Sequence, residues 1–278
     1  MKLFITGGAG FIGSYVVQQA LAVGHTVTAL RLPGESPKIP LSIQPRWVDG
    51  SLADDWTAEL RGVEGIIHLA AVGVSPQQAT WEQLFRVNVL QSMQLMSAAV
   101  AGGVKRFIIC GSCFEYGLSG EKYDFIPVAA PLKPANAYAA SKAAATMAAL
   151  ALGVEHKVEL AVLRPFHVFG EGQHPSNFWP SLKKAALAGE DFPMTLGEQM
   201  RDFVSVERLA AFFVGAVSRT DLQPGMPVIE NLGSGQPQTL RAFAEHWWQH
   251  WGAKGQLLPG AIPYRANEVM RYVPLIPS

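Results

Sequence analysis

Short, nearly continuous apolar runs alternate with longer helical stretches through the first 165 residues. Leu3-Phe4-Ile5, Ile66-Ile67 and Phe107-Ile108-Ile109 read as cores of buried strands. Strands are predicted at 2–6, 26–31, 46–48, 65–69, 106–111 and 158–163. Helical spacing predicts helices at 11–23, 81–101 and 136–152. Gly24-His25 stops the first helix, and Pro33, Gly34, Pro37, Pro40 and Pro45 mark a long loop. Strands that alternate with helices imply right-handed crossovers and a parallel sheet. Strands apolar at nearly every position suit a sheet covered on both faces. The expected fold is therefore α/β, doubly wound, with a smaller C-terminal part. After Arg164-Pro165 the pattern loosens, with prolines at 175, 180 and 193. Elements returning to the first part of the fold are expected near 203–206 and 227–232.

Composition narrows the function. Hydrophobic residues make up 49% of the 278 and charged residues 16%, against roughly 25% charged in an average protein. A large core follows. Lys+Arg and Asp+Glu are both 22. That balance supplies no basic excess for counterion release, so no nucleic-acid partner is expected. Two cysteines cannot build a disulfide framework and suit a reducing compartment. The N-terminal apolar run is cut by Gly7 and Gly8, unlike a signal peptide. The Ala-rich segment 135–154 carries Lys142 near its middle, which argues against a membrane span. The chain is expected to be soluble and cytoplasmic.

Thr6-Gly7-Gly8-Ala9-Gly10-Phe11-Ile12-Gly13 lies between the first strand and the first helix. In such a loop Gly7 permits a tight turn, Gly10 lets backbone approach a pyrophosphate, and Gly13 permits close helix–sheet packing. The helix N-terminus at Phe11 and Ile12 then offers N–H groups and a positive dipole to the anion. The pattern predicts a dinucleotide on a Rossmann-type sheet. Residues 1–165 become the dinucleotide-binding part, and 166–278 mainly the substrate-binding part. An acidic residue at the end of the second strand would select NAD. The residue there is Arg31, which suits the 2′-phosphate of NADP, so NADP(H) is favoured over NAD(H).

Tyr138 and Lys142 are four residues apart and share a helix face. A nearby ammonium would lower the phenol pKa from about 10. The tyrosine would then exchange a proton with a hydroxyl or carbonyl oxygen. Ser112 follows a predicted parallel strand, at the end where open α/β sheets bind ligands.

Together these features resemble the extended short-chain dehydrogenase/reductase family, of the nucleotide-sugar epimerase/dehydratase type. The glycine loop matches its TGxxGxxG pattern and Tyr138/Lys142 its YxxxK. Other matching segments are His68-Leu69-Ala70-Ala71, Asn88 in Val87-Asn88-Val89, the run from Leu163 to Gly170, Arg201-Asp202-Phe203, and Asn231-Leu232-Gly233-Ser234-Gly235. The resemblance implies that Ser112, Tyr138 and Lys142 are catalytic. It places Leu69, Ala70, Ala71, Asn88, Pro165, His167 and Val168 at the cofactor. Cys113, Phe114, His167 and Asn177 fall at the substrate, and Arg201 and Arg265 at the diphosphate of a nucleotide sugar. Position 167 is His where many relatives have Asn, and Ser51-Leu52 sits where an Asp often binds adenine. The short stretch after Arg265 predicts a missing or shortened C-terminal helix.

The family's dehydratases carry an Asp-Glu pair after the catalytic Ser/Thr. This chain has Cys113 and Phe114 there, and neither carries protons in that way. That argues against 4,6-dehydration, and Arg31 then favours a 4-ketoreductase using exchangeable NADPH, as in deoxysugar biosynthesis. A 4-epimerase is the alternative, and a non-catalytic NADP-binding sensor a further one. Such a sensor would have little use for the Tyr138/Lys142 pair. No metal is expected: Cys110 and Cys113 lack two further zinc ligands, and Trp247 follows His246 where a zincin has Glu. Apolar faces on helices 81–101 and 136–152 suit a homodimer.

Overall fold

The computed structural model describes residues 1–74, 76–266 and 268–276. Six strands arise before residue 166: β1 (Lys2–Thr6), β2 (Thr26–Arg31), β3 (Arg46–Asp49), β4 (Gly65–His68), β5 (Arg106–Cys110) and β6 (Glu159–Pro165). Every residue of β4 is buried, as is β1 after Lys2, which is why both read as unbroken apolar runs. The intervening helices are α1 (Phe11–Ala22), α2 (Trp81–Phe85), α3 (Ser92–Ala101) and α4 (Ala137–Glu155). Thr80 opens α2 with a capping box to Gln83. Asn136 caps α4 by accepting from the Ala139 N–H at 2.9 Å. The helix expected over 81–101 contains a π-helical segment, Arg86–Gln91, between α2 and α3. Such insertions cluster at functional positions, and this one holds Asn88.

Beyond residue 166 the chain builds β7 (His167–Phe169), α5 (Phe178–Ala188), β8 (Phe192–Met194) and β9 (Met200–Ser205). It then returns to the main sheet through α6 (Val206–Ala216) and β10 (Val228–Leu232). It ends with β11 (Pro237–Thr239), α7 (Leu240–His250), β12 (Leu257–Pro259) and β13 (Arg271–Tyr272). The main sheet is seven-stranded and parallel, in the order β10-β6-β5-β4-β1-β2-β3. The strand expected to return near 203–206 instead belongs to a separate sheet, where β9 pairs with β7, β11 and β13. Past Phe166, whose N–H still bonds the Leu232 carbonyl of β10, the chain turns into β7, and β9 pairs with it in parallel.

Two apolar layers sandwich the main sheet. Val16, Val17 and Ala20 of α1 pack with Leu209, Ala210 and Phe213 of α6 on one face. Leu95, Met96 and Ala99 of α3 pack with Ala149 and Leu152 of α4 on the other. A separate cluster joins α5 and α7 through Leu182, Ala186, Ala244 and Trp248. Helix α4 is long and apolar enough to cross a membrane. Here it packs on the sheet and buries Ser141, Lys142 and Thr146.

Candidate active site

The strand order reverses between β1 and β4, and the glycine loop and the Leu69–Ala71 segment leave the sheet at this switch point. Gly7 has φ +66°, and a Cβ there would lie 2.9 Å from the Ala70 nitrogen. A Cβ on Gly13 would overlap the Gly7 carbonyl oxygen. Gly10 is the N-cap of α1, with no side-chain cap and no acidic residue in the first turn. The N–H groups at Phe11 and Ile12 therefore have no intrahelical acceptor. This cradle fits a pyrophosphate, and a dinucleotide would lie across it.

A buried relay fixes the second side of the cradle. The Thr6 hydroxyl accepts from the Leu69 and Ala70 N–H groups at 3.1 and 3.2 Å. It also meets His68 Nδ1 at 2.9 Å. His68 Nε2 lies 3.0 Å from the Ser92 hydroxyl, which itself donates to the Val87 carbonyl. That network calls for an imidazole protonated at Nε2. Burial, reinforced by Lys142, pushes His68 down to about 3 and keeps it neutral. At the end of β2, Arg31 donates to Asp49 at 2.7 Å and stacks 4.8 Å over Trp47. Arg31, Lys38, Gln44 and Trp47 share the lining of one open cleft.

Ser112, Tyr138 and Lys142 meet at the carboxyl end of β5. The Ser112 hydroxyl accepts from the Phe114 N–H at 3.2 Å and lies near enough the Tyr138 phenol to pull its pKa down. The Phe114 ring stands edge-on to Tyr138, with centroids 6.4 Å apart, and is half exposed. Lys142 is buried, and its Nζ donates to the Cys110 carbonyl at 2.7 Å. One expectation needs correction here. Tyr138 is not acidified: burial, and then Cys110, push the phenol above its usual pKa, while Ser112 pulls the other way. The ammonium that was to acidify it faces the Cys110 carbonyl. Burial also pushes the Cys110 and Cys113 thiols up, to about 11 and about 12. Both are therefore packing groups rather than thiolate nucleophiles at neutral pH.

Among the substrate-side residues, Arg201 lies close enough to His167 and Cys113 to shift the pKa of both. His167 begins β7, one residue beyond Phe166. Its Nδ1 is buried without a hydrogen-bond partner among the described residues. Burial, then Arg201, push it down to about 3. Arg201 donates to the Met200 and Val269 carbonyls at 2.9 and 2.6 Å and lies 3.5 Å from Glu268. Burial lowers its pKa. Arg265 is exposed, on the segment before β13. Asn177 stands at the N-cap of α5 with no side-chain cap bond. Pro165 pairs with Leu232 at the end of β6, and Val168 packs on the α1–α6 core layer.

The NAD dependent epimerase/dehydratase family matches residues 3–229. The chain belongs to that family. A UDP-glucose 4-epimerase of Corynebacterium glutamicum is 27% identical over 267 residues, covering 88% of this chain and 79% of the relative. A dTDP-6-deoxy-L-talose 4-dehydrogenase (NAD(+)) of Aggregatibacter actinomycetemcomitans is 26% identical and covers 97% of this chain and 98% of the relative. Among solved structures, MoeE5 in complex with UDP-glucuronic acid and NAD superposes with a TM-score of 0.82. It is 28% identical over 99% of this chain and 90% of its own.

Three supports of this epimerase/dehydratase-family site find their partners only in the folded chain. Asn88 is buried, and its amide accepts from the Val72 N–H and donates to the Val72 carbonyl and the Ser141 hydroxyl. It thus clamps the β4 loop to α4. Buried Asp202 accepts from the Ser234 and Gly235 N–H groups at 2.5 and 2.9 Å, so the RDF and NxGxG segments are one unit. Glu115 is fully buried beneath Ser112 and paired with Arg164. The Ser112-x-x-Glu115 spacing, a capping-box signature, was the signal for it.

Proposed function

We propose that the protein reduces the 4-keto group of a nucleotide-linked 6-deoxysugar with NADPH. The observation that carries this reading is the Tyr138 phenol. It stands close to Ser112 at the carboxyl end of β5, and like any phenol it keeps its proton at neutral pH, as a proton donor for reduction must. No second acid follows the serine: the next residues are Cys113, whose thiol stays protonated, and Phe114. The Aggregatibacter relative, matched end to end, is named for redox chemistry at a sugar C4.

Reduced nicotinamide, when bound, supplies hydride to the carbonyl carbon. Ser112 hydrogen-bonds the carbonyl oxygen, and Tyr138 delivers its proton to the alkoxide as that oxygen gains charge. Lys142, fixed by Cys110, places its positive charge beneath this site. Residues 1–165 would hold the dinucleotide, with 166–278 mainly holding the sugar nucleotide. Arg31 and Lys38 flank the place for a 2′-phosphate, which supports NADPH, although the relatives above are named with NAD. Arg201 and Arg265 would face the diphosphate. Free thiols suit a reducing cytoplasm. Exposed Trp81, Phe85 and Leu90, with Met147 and Val154 of α4, support a homodimer, which sedimentation at micromolar concentration would detect.

A second reading, a 4-epimerase, is favoured by the Corynebacterium relative. Turnover separates the two. Stoichiometric NADPH oxidation by nucleotide-linked 4-keto-6-deoxysugars supports the reductase. Interconversion of 4-epimers without added coenzyme supports the epimerase and contradicts the reductase.

A further inference from the structure

Resting on the assignment of Ser112 as a catalytic group, we propose that Glu115 is a positioning residue for Ser112, held in place by Arg164. Glu115 is 0% exposed and Arg164 1%, so neither charge is a solvated surface group. One Glu115 oxygen, Oε1, accepts from the Ser112 N–H at 2.7 Å. The other, Oε2, accepts from Arg164 Nε at 2.9 Å and Nη2 at 2.8 Å. Arg164 Nη1 donates to the Tyr116 hydroxyl at 2.9 Å, and that hydroxyl donates to Asn231 Oδ1 at 2.7 Å. Asn231 in turn donates to the Ile126 carbonyl at 2.9 Å.

This chain of bonds ties the turn carrying Ser112 to the ends of β6 and β10. Gly111 makes the approach possible. A Cβ there would lie 2.9 Å from both Arg164 Cγ and Glu115 Oε1. The turn Cys113–Glu115 is only three residues long and has little helical cooperativity of its own. Its geometry needs an outside anchor. The reciprocal bonds, Ser112 N–H to Glu115 and Phe114 N–H to the Ser112 hydroxyl, fix both the serine backbone and its Oγ. The Glu115 carboxylate is bonded to the Ser112 N–H and to Arg164, so it acts through Ser112.

The test uses two double variants of the full chain, Glu115→Leu/Arg164→Leu and Glu115→Gln/Arg164→Leu. Exchanging a buried ion pair for apolar residues is often neutral for stability. Both doubles lack the charges, but only the Gln variant keeps an acceptor for the Ser112 N–H. NADPH oxidation with dTDP-4-keto-6-deoxyglucose gives kcat, and NADPH fluorescence gives the coenzyme Kd. A small displacement of a reacting group costs on the order of 10- to 100-fold in rate. The Leu/Leu variant is expected to lose that much kcat with unchanged Kd, and the Gln/Leu variant to recover most of it. Wild-type kcat in Leu/Leu, or equal loss in both, overturns the proposal. If Leu/Leu does not fold, Glu115→Gln decides. Retention of kcat within about threefold supports the positioning role; a larger loss, or failure to fold, contradicts it. Tyr138→Phe runs alongside. If it keeps turnover, the catalytic assignment itself fails, whatever the Glu115 variants do.

Discussion

The Lys142 ammonium donates to the Cys110 carbonyl at 2.7 Å, and the Tyr138 phenol stays above its usual pKa. A phenol that keeps its proton throughout the neutral range has one to give to a forming alkoxide. Tyr138→Phe removes that proton and nothing from the glycine cradle. We expect kcat to fall on the order of 10²- to 10⁴-fold, with NADPH affinity by fluorescence within a factor of a few. Loss of affinity in proportion to the rate would mean that Tyr138 serves binding instead.

Gly13→Ala tests the cradle. Its Cβ would overlap the Gly7 carbonyl oxygen, so α1 must shift away from the β1 turn. Dinucleotide affinity should fall at least about tenfold while the far-ultraviolet circular dichroism stays native. Unchanged affinity would show that the loop is a structural turn only.

Much of this arrangement was legible from residue order, and the reasons are physical. Consecutive apolar residues such as Ile66-Ile67 mark a strand buried on both faces. Tyr138 and Lys142 share a helix face by spacing alone. Other features depend on partners distant in sequence. His167–Phe169 is too short to signal a strand, and it exists because β9 offers a parallel edge. The π segment at 86–91 leaves no periodic trace over six residues. The direction of the Lys142 side chain, and with it the phenol's acidity, follows from where the Cys110 carbonyl ends β5. Glu115 was readable as a helix-cap partner of Ser112, but its burial against Arg164 was visible only once β6 lay beside β5.

Coenzyme choice should follow Arg31. Its guanidinium is oriented by Asp49 and Trp47 at the end of β2. Arg31→Ala would remove the charge-assisted contact proposed for a 2′-phosphate and leave NADH untouched. The ratio of kcat/KM for NADPH over NADH should drop by about 10-fold or more. An unchanged ratio would remove Arg31 from coenzyme selection.

Acid should destabilise the fold through its buried imidazoles. His68 is held at about 3 in the folded chain, against about 6.5 when unfolded. Between those values the unfolded state binds a proton that the folded state refuses. Stability is therefore complete above pH 6.5 and is lost progressively as pH falls toward 3. At pH 5 the loss from this one group is about 2 kcal/mol. His167, also near 3, acts in the same direction. The Tm of wild type should drop from pH 8 to pH 5 by more than that of His68→Gln. Parallel drops would show that His68 does not titrate on unfolding.

The most direct measurement follows the hydride. NADPH carrying deuterium at nicotinamide C4 is incubated with the protein and a nucleotide-linked 4-keto-6-deoxysugar, and the sugar product is read by mass spectrometry and NMR. One deuterium at sugar C4, absent with Tyr138→Phe, is the predicted result. Product free of deuterium at C4, or NADPH left unoxidised across the sugar panel, would contradict the account.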